Sequence, residues 1–188
     1  GTGGAAGTSG LSGTSGTSGS SGAKGDTGTG SGGGTSAAFS APIDSGAGLI
    51  LSAQSTLYTM SFGTPTISTP GAFSHSTVTN PDQITVLQSG DYSITYNYSA
   101  ISARTGSSVV QTAVFKNSTG LGSAGYTRVT LDPTTPAQGT DFASATIIVP
   151  LLANDIIKLV FNIATGGGVG NITIGTSSYA GISITKIG

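Results

Sequence analysis

The segment Asp91–Ala100, DYSITYNYSA, carries the strongest structural signal in this chain. Apolar or aromatic side chains occupy every second position from Tyr92 onward, and polar side chains fill the positions between them. Successive side chains of a β-strand point to opposite faces, so this alternation predicts a strand with one buried face and one polar face. We therefore expect a β-sheet protein organised around this strand.

Short segments of similar composition lie on both sides of this strand, separated by Gly, Pro, Asn and Asp. These residues favour turns, whereas Val, Ile, Tyr, Phe and Thr favour strands. We predict further strands at Phe39–Ala41, Leu57–Phe62, Ile84–Leu87, Val109–Lys116, Tyr126–Leu131, Ala143–Leu151, Ile156–Ala164, Asn171–Ile174 and Tyr179–Ile187. About eight to ten short strands with this spacing predict an all-β sandwich, jelly roll or barrel.

Two connecting segments have a distinctive composition. Asn154 and Asp155 separate two strongly apolar strands, and this pattern predicts a tight hairpin. The run Thr165–Gly170, TGGGVG, superficially suggests a phosphate-binding loop. It lacks the Lys-Ser/Thr pair and the helix that such a loop requires, so we expect a mobile loop at one end of the sheets.

Residues 1–30 follow a different rule. Gly occupies every third position from Gly1 to Gly28, and Ser31 ends this register. Only hydrogen fits at the axis of three wound polyproline II chains, so the strict period predicts a collagen-like triple-helical stalk. A flexible Gly/Ser linker is the alternative, although linkers have no obligatory period. Residues 31–38, SGGGTSAA, are expected to form a flexible neck, and residues 39–188 a globular head.

The predicted stalk contains no Pro, so its unfolded chain is not biased toward the polyproline II conformation. A short triple helix of this composition is marginal alone and needs a trimerising head. Side chains at X and Y positions point outward, and O-linked sugar is expected on threonines such as Thr8, Thr14 and Thr17. The N-glycosylation patterns at Asn97, Asn117 and Asn171 are expected by chance in a chain so rich in Ser and Thr.

The overall composition excludes several classes of protein. Six basic and seven acidic residues give a net charge of −1, which provides no attraction for nucleic acid or anionic lipid. The absence of Cys excludes disulfides and thiolate metal sites. No apolar run reaches about 18 residues, so no membrane span is expected. Because the sequence begins with Gly1 rather than Met, we expect upstream residues that bind a surface anchoring protein.

Candidate catalytic residues are few. His75 is the only histidine, and its neighbours form neither a nucleophile elbow nor a general-base pair. The aspartates of the head mostly stand next to turn residues or where strands begin; they are Asp44, Asp82, Asp91, Asp132, Asp141 and Asp155. We therefore predict no enzyme activity, no catalytic, cofactor-binding or metal-binding residue, and no cofactor.

Three segments of the head resemble motifs of the complement- and TNF-like superfamily. Val86–Tyr92, VLQSGDY, is similar to the T-G-x-Y motif at the start of the central strand of that family. Leu151–Leu159, LLANDIIKL, resembles the L-x-x-G-D-x-V hairpin, with Asn154 in place of the Gly. Tyr179–Ile184, YAGISI, resembles the closing F-x-G-x-x-I strand. With a Gly-X-Y stalk before a head that carries these motifs, the chain resembles the collagen-like exosporium glycoproteins of spore-forming bacteria.

The resemblance implies an all-β, TNF-like jelly-roll head that assembles as a homotrimer. It also implies a structural protein outside the cell, on a bacterial spore or cell surface, with adhesion as an additional role. A receptor-binding spike or tail fibre of a virus or phage is the alternative, because such fibres also place jelly-roll heads on trimeric stems. Large aromatic side chains suit either the core of one head or the trimer axis, and the candidates are Tyr92, Tyr96, Tyr98, Phe161 and Tyr179.

Overall fold

The computed structural model describes residues 1–7, 36–44, 48–122, 126–132, 139–175 and 180–188. The chain divides into two compact units, Gly1–Gly33 and Gly34–Gly188. In the first unit, residues 1–7 are exposed and have no regular secondary structure, and the rest of the predicted stalk lies outside the described residues. The triple helix therefore stays a prediction.

The described part of the second unit contains fourteen strands. They are β1 (Ala38–Pro42), β2 (Leu49–Leu51), β3 (Tyr58–Thr59), β4 (Ile67–Ser68), β5 (Phe73–His75), β6 (Ile84–Val86), β7 (Gly90–Ser102), β8 (Ser108–Lys116), β9 (Thr119–Gly120), β10 (Tyr126–Leu131), β11 (Gly139–Leu151), β12 (Ile156–Gly166), β13 (Ile172–Ile174) and β14 (Gly181–Lys186). Each strand expected from the sequence has a counterpart, although the one expected at Leu57–Phe62 is reduced to β3. The first strand begins at Ala38, inside the expected neck, and Ala37 before it is buried.

The strands form two antiparallel sheets around one hydrophobic core. In the first sheet the order is β2-β13-β7-β14-β1-β4, and β11 pairs with the other edge of β7. In the second sheet the order is β10-β8-β12-β6-β5, with β3 paired to β12 and β9 to β8. The predicted sandwich of short strands is confirmed.

The central strand β7 has the two faces that its sequence predicts. Tyr92, Ile94, Tyr96 and Tyr98 are buried between the sheets, and the polar residues between them are half-buried on the opposite face. Phe161 of β12 is equally buried, so these aromatic side chains belong to the core of a single head. They therefore do not line the axis of a trimer. Tyr179, the fifth candidate, falls outside the described residues.

The buried tyrosines also connect the two sheets through their hydroxyl groups. The hydroxyls of Tyr96 and Tyr98 each lie 3.3 Å from Thr127 Oγ1, on β10 of the second sheet. The ring of Tyr98 meets Phe161 edge-on at a centroid distance of 4.9 Å. Burial raises the pKa of Tyr96 and of Tyr98 above the ordinary tyrosine value. Both groups thus remain neutral hydrogen-bonding phenols in the core.

The turn at Asn154 and Asp155 carries the chain from one sheet to the other. The strand before it, β11, pairs with β7, whereas β12 after it pairs with β8. The predicted hairpin is wrong, because turn residues specify a chain reversal and not which strands pair afterwards. Asn154 has a φ of 75°, a left-handed conformation that Asn tolerates better than most residues. This explains how Asn replaces the Gly of the resembled motif.

Asp155 stabilises this crossover. Its carboxylate accepts hydrogen bonds from the Leu152 N–H at 2.8 Å and the Asn117 amide at 3.0 Å. The Lys116 ammonium lies 3.7 Å away. Desolvation acts to raise the pKa of Asp155, but these donors together outweigh it and hold the pKa below the ordinary value. The folded state therefore favours the charged carboxylate.

We predict that Asp155→Asn lowers the free energy of unfolding by about 1 kcal/mol at neutral pH. A carboxyl whose pKa is depressed by folding stabilises the protein above its unfolded-state pKa, and this contribution disappears as pH falls through the folded-state pKa. Urea unfolding from pH 7 downward should therefore show a gap between wild type and variant that closes in acid. Asp82→Asn, which removes an ion pair with Lys158, is the control and should cost less. A gap that persists undiminished in acid contradicts this role for Asp155.

Candidate assembly surface

His75 is held by backbone groups. Its Nδ1 lies 2.9 Å from the carbonyl oxygen of Gln83, and its Nε2 lies 3.3 Å from that of Phe62. The rings of Phe39 and Phe62 pack edge-on against the imidazole. Both ring nitrogens thus face main-chain carbonyls, and His75 occupies a structural position in β5.

The aspartates of the head are dispersed and mostly bonded to neighbouring groups. Asp82 pairs with Lys158 at 3.3 Å, Asp132 accepts a hydrogen bond from the Ser107 hydroxyl at 2.6 Å, and Asp141 accepts one from the Phe142 N–H at 2.8 Å. Asp91 is exposed at the start of β7. Among the described residues, no three His, Cys, Asp or Glu side chains form a group that could hold a metal ion.

The Gly-rich run Thr165–Gly170 is fixed by a buried arginine. Arg104 is only 8% exposed, and it donates hydrogen bonds to the carbonyls of Gly168 at 2.8 Å and Gly170 at 3.0 Å. The loop is therefore anchored, contrary to the mobile loop expected from its composition. Local sequence could not show this, because Arg104 lies on a different loop.

Much of the outward face of the first sheet carries small, polar and uncharged side chains, and Ile148 at its β11 end is the large apolar exception. Strand register aligns its side chains in three rows across β1, β14, β7 and β11. The rows are Ala38, Thr185, Ser93 and Ile148; Ser40, Ser183, Thr95 and Thr146; and Pro42, Gly181, Asn97 and Ser144. We call these three rows the hydroxyl face. The hydroxyls of Thr95 and Thr146 are 2.8 Å apart, so adjacent strands are joined by side chains as well as by backbone.

A groove of about 260 Å³ runs over this hydroxyl face. Ser40, Thr95, Asn97 and Ser183 contribute polar groups to its walls. Gly181 lies in the groove because a side chain there is sterically excluded: a Cβ would stand 2.9 Å from the carbonyl oxygen of Ala41. The groove therefore presents hydrogen-bonding groups on a flat, uncharged sheet.

The hydroxyl face ends in an exposed apolar edge at β11. β11 pairs with β7 on one side, and no strand of the described residues pairs with its other side. The outward side chains of Phe142, Ile148 and Leu152 are 65%, 70% and 65% exposed. β10, at the edge of the second sheet, contacts β11, so the two sheet edges lie together. Clustered exposed apolar side chains such as these favour association with another chain.

Solved structures with a similar backbone are cytokine-like β proteins. The crystal structure of murine APRIL at pH 8.0 matches with a TM-score of 0.51 and 11% identity, covering 81% of this chain and 99% of that one. The Eiger TNF of S. frugiperda matches with a TM-score of 0.50 and 10% identity, covering 81% and 93%. No protein-family model matches the sequence, and the search of curated proteins gives no match.

The head has a TNF-like jelly-roll fold. At this level of identity the likeness concerns the fold alone, and it confirms the jelly roll expected from the sequence. Among the described residues, no helix has the length and apolar character needed to cross a membrane.

We predict that Thr95→Arg disrupts self-association while leaving the head folded. Thr95 points away from the core, so a long side chain fits the isolated head but would place an unpaired charge in an interface if another copy covered this face. Light scattering should report a lower mass for the variant, with unchanged far-ultraviolet circular dichroism. The control is Thr85→Arg, a half-buried threonine on the outward face of the second sheet. Equal masses for the two variants would exclude the hydroxyl face as an interface.

Proposed function

We propose that this chain is a non-enzymatic structural protein of a bacterial spore or cell surface. In this proposal three copies assemble, with a collagen-like stalk in residues 1–30 and a TNF-like head that holds the chains together. The observation that carries it is the unbroken Gly register from Gly1 to Gly28 preceding a jelly roll with an uncharged outward face. Neither feature is a catalytic arrangement, and in this proposal both serve assembly.

The trimer is supported by two separate features. A collagen helix needs three chains, and the Gly at every third position is required because only Gly fits at the axis where the three chains meet. On the head, the apolar edge with Phe142 and Ile148 differs from the hydroxyl face, which suits a contact in which the edge of one head covers the face of the next. Such heterologous contacts close into a ring when the rotation between copies allows it.

The two parts of the chain depend on each other in this proposal. Without Pro, residues 1–30 gain little from pre-ordering of the unfolded chain, so three strands must be held together by another element. The core of the head is large enough to fold and to act as that element. O-linked sugar on the stalk threonines, as on a surface glycoprotein, would add further support.

We predict two thermal transitions by circular dichroism, an early one from the stalk and a later one from the head. Gly13→Ala should lower or remove the early transition, because a methyl group does not fit at the helix axis. Thr14→Ala, at an outward position of the same triplet, is the control and should keep it. A single transition that neither substitution changes would overturn the stalk, while leaving the trimeric head to be judged by its mass.

The alternative function is a receptor-binding spike or tail fibre of a virus or phage. It is favoured by the anchored Gly-rich loop, on which the side chain of Val169 is 78% exposed. An exposed apolar residue on an anchored loop loses little entropy when it binds a partner. Val169→Asp should abolish attachment in a fibre and leave a structural coat protein unaffected.

A further inference from the structure

We infer a sugar-binding site on the outward face of the second sheet, the side of the head remote from the hydroxyl face. The site takes one hexopyranose ring of a glycan and prefers an acidic sugar. It lies within a single head, so it rests neither on the trimer nor on the stalk. The residues that form it come from β3, β8, β10, β12 and their flanks, and we call them the Tyr126 cup: Leu57, Gln111, Ala113, Phe115, Tyr126 and Asn162.

Strand register brings the Tyr126 cup together. Tyr126 stands opposite Ala113, and Ala113 stands opposite Val160, across three adjacent strands. In the next row Gln111 stands opposite Asn162. Ala113 and Val160 point outward yet are only 4% and 6% exposed, because the larger side chains around them cover them. They form an apolar floor with higher walls.

The walls are aromatic and aliphatic on one side. Tyr126 is 40% exposed and Leu57 is 62% exposed, and both line a depression of about 50 Å³. A Cβ at Gly120 would stand 3.4 Å from both the Phe115 ring and the Tyr126 hydroxyl, so both side chains lie close to this residue, which has no side chain of its own. Because the floor and walls belong to paired strands, the cup is preformed.

Polar groups line the other side. Within the part of the chain that the structure describes, the side chains of Gln111, Asn162 and Arg128 have no hydrogen-bond or ion-pair partner. Arg128 stands opposite Gln111 in the same row. Each carboxamide both donates and accepts hydrogen bonds, and the guanidinium donates several. Gln111 and Asn162 thus line the depression on one side of the Tyr126 phenol, and Arg128 stands beyond Gln111 in the same row, outside the lining.

This combination matches the chemistry of a pyranose. A sugar ring has a face of C–H groups, which an aromatic side chain can cover, and a rim of hydroxyls that pair with carboxamides. Ligand sites typically combine an apolar lining with a few such polar groups. The depression of about 50 Å³ is shallow, so the sugar ring rests against Tyr126 and Leu57 rather than entering a deep pocket. Arg128 adds a charge-assisted hydrogen bond when the sugar carries a carboxylate.

The test is a saturation-transfer NMR titration of the full chain with methyl β-glucuronide and its neutral counterpart, methyl β-glucoside. We expect both sugars to bind with dissociation constants of about 1–10 mM, as suits ligands of this size. The glucuronide should bind about tenfold more tightly, since one added charge-assisted hydrogen bond has that effect. No saturation transfer to either sugar at about 50 mM, several times the weakest constant expected, overturns the site.

Three variants locate the binding. Tyr126→Ala should abolish it, and Arg128→Gln should reduce glucuronide binding to the glucoside level without affecting the glucoside. Thr130→Ala, an exposed position on the same strand, is the matched control and should change neither. Binding that survives Tyr126→Ala overturns the cup. Equal binding of both sugars to the unmodified chain overturns the part assigned to Arg128. Because Arg128 is exposed, Arg128→Gln tests the site even if Tyr126→Ala misfolds.

Discussion

Tyr92, Tyr96 and Tyr98 project from a single strand into the space between the sheets, and each must bring its hydroxyl to a hydrogen-bonding partner. Tyr92 reaches the Gln88 carbonyl at 2.6 Å, and the other two reach Thr127 on the opposite sheet. A buried phenol without a partner would cost free energy, so these bonds determine how the sheets are placed relative to each other. The other strands of the first sheet pair outward from β7.

The same constraint shapes the surface of the head. Tyr92, Ile94, Tyr96 and Tyr98 of β7 point inward, the outward positions between them hold Ser93, Thr95 and Asn97, and the neighbouring strands match these mostly with small polar residues. The result is a flat face without charge, bordered by the apolar edge of β11. A chain with a net charge of −1 has little electrostatic repulsion to prevent copies from associating there. Both the core of the head and the hydroxyl face thus follow from the alternating sequence of β7.

The long strands were predictable because their alternation or apolar runs are local properties of the sequence. The short strands β2, β4 and β5 were not, because two or three residues form a strand only when a neighbouring edge supplies hydrogen bonds. The position of Asn154 marked a turn but not the change of sheet. Likewise, the clamp of Arg104 and the Tyr126 cup join residues far apart in the sequence, and only strand register brings them together.

The central claim is that the head and stalk exist as a trimer, and sedimentation equilibrium of the full chain tests it most directly. The run should cover a wide range of protein concentration at neutral pH and moderate salt. We predict a single species of three times the 18.2 kDa chain mass throughout. A species of 18.2 kDa, or one of twice that mass, would contradict the assembly on which both the stalk and the hydroxyl face depend.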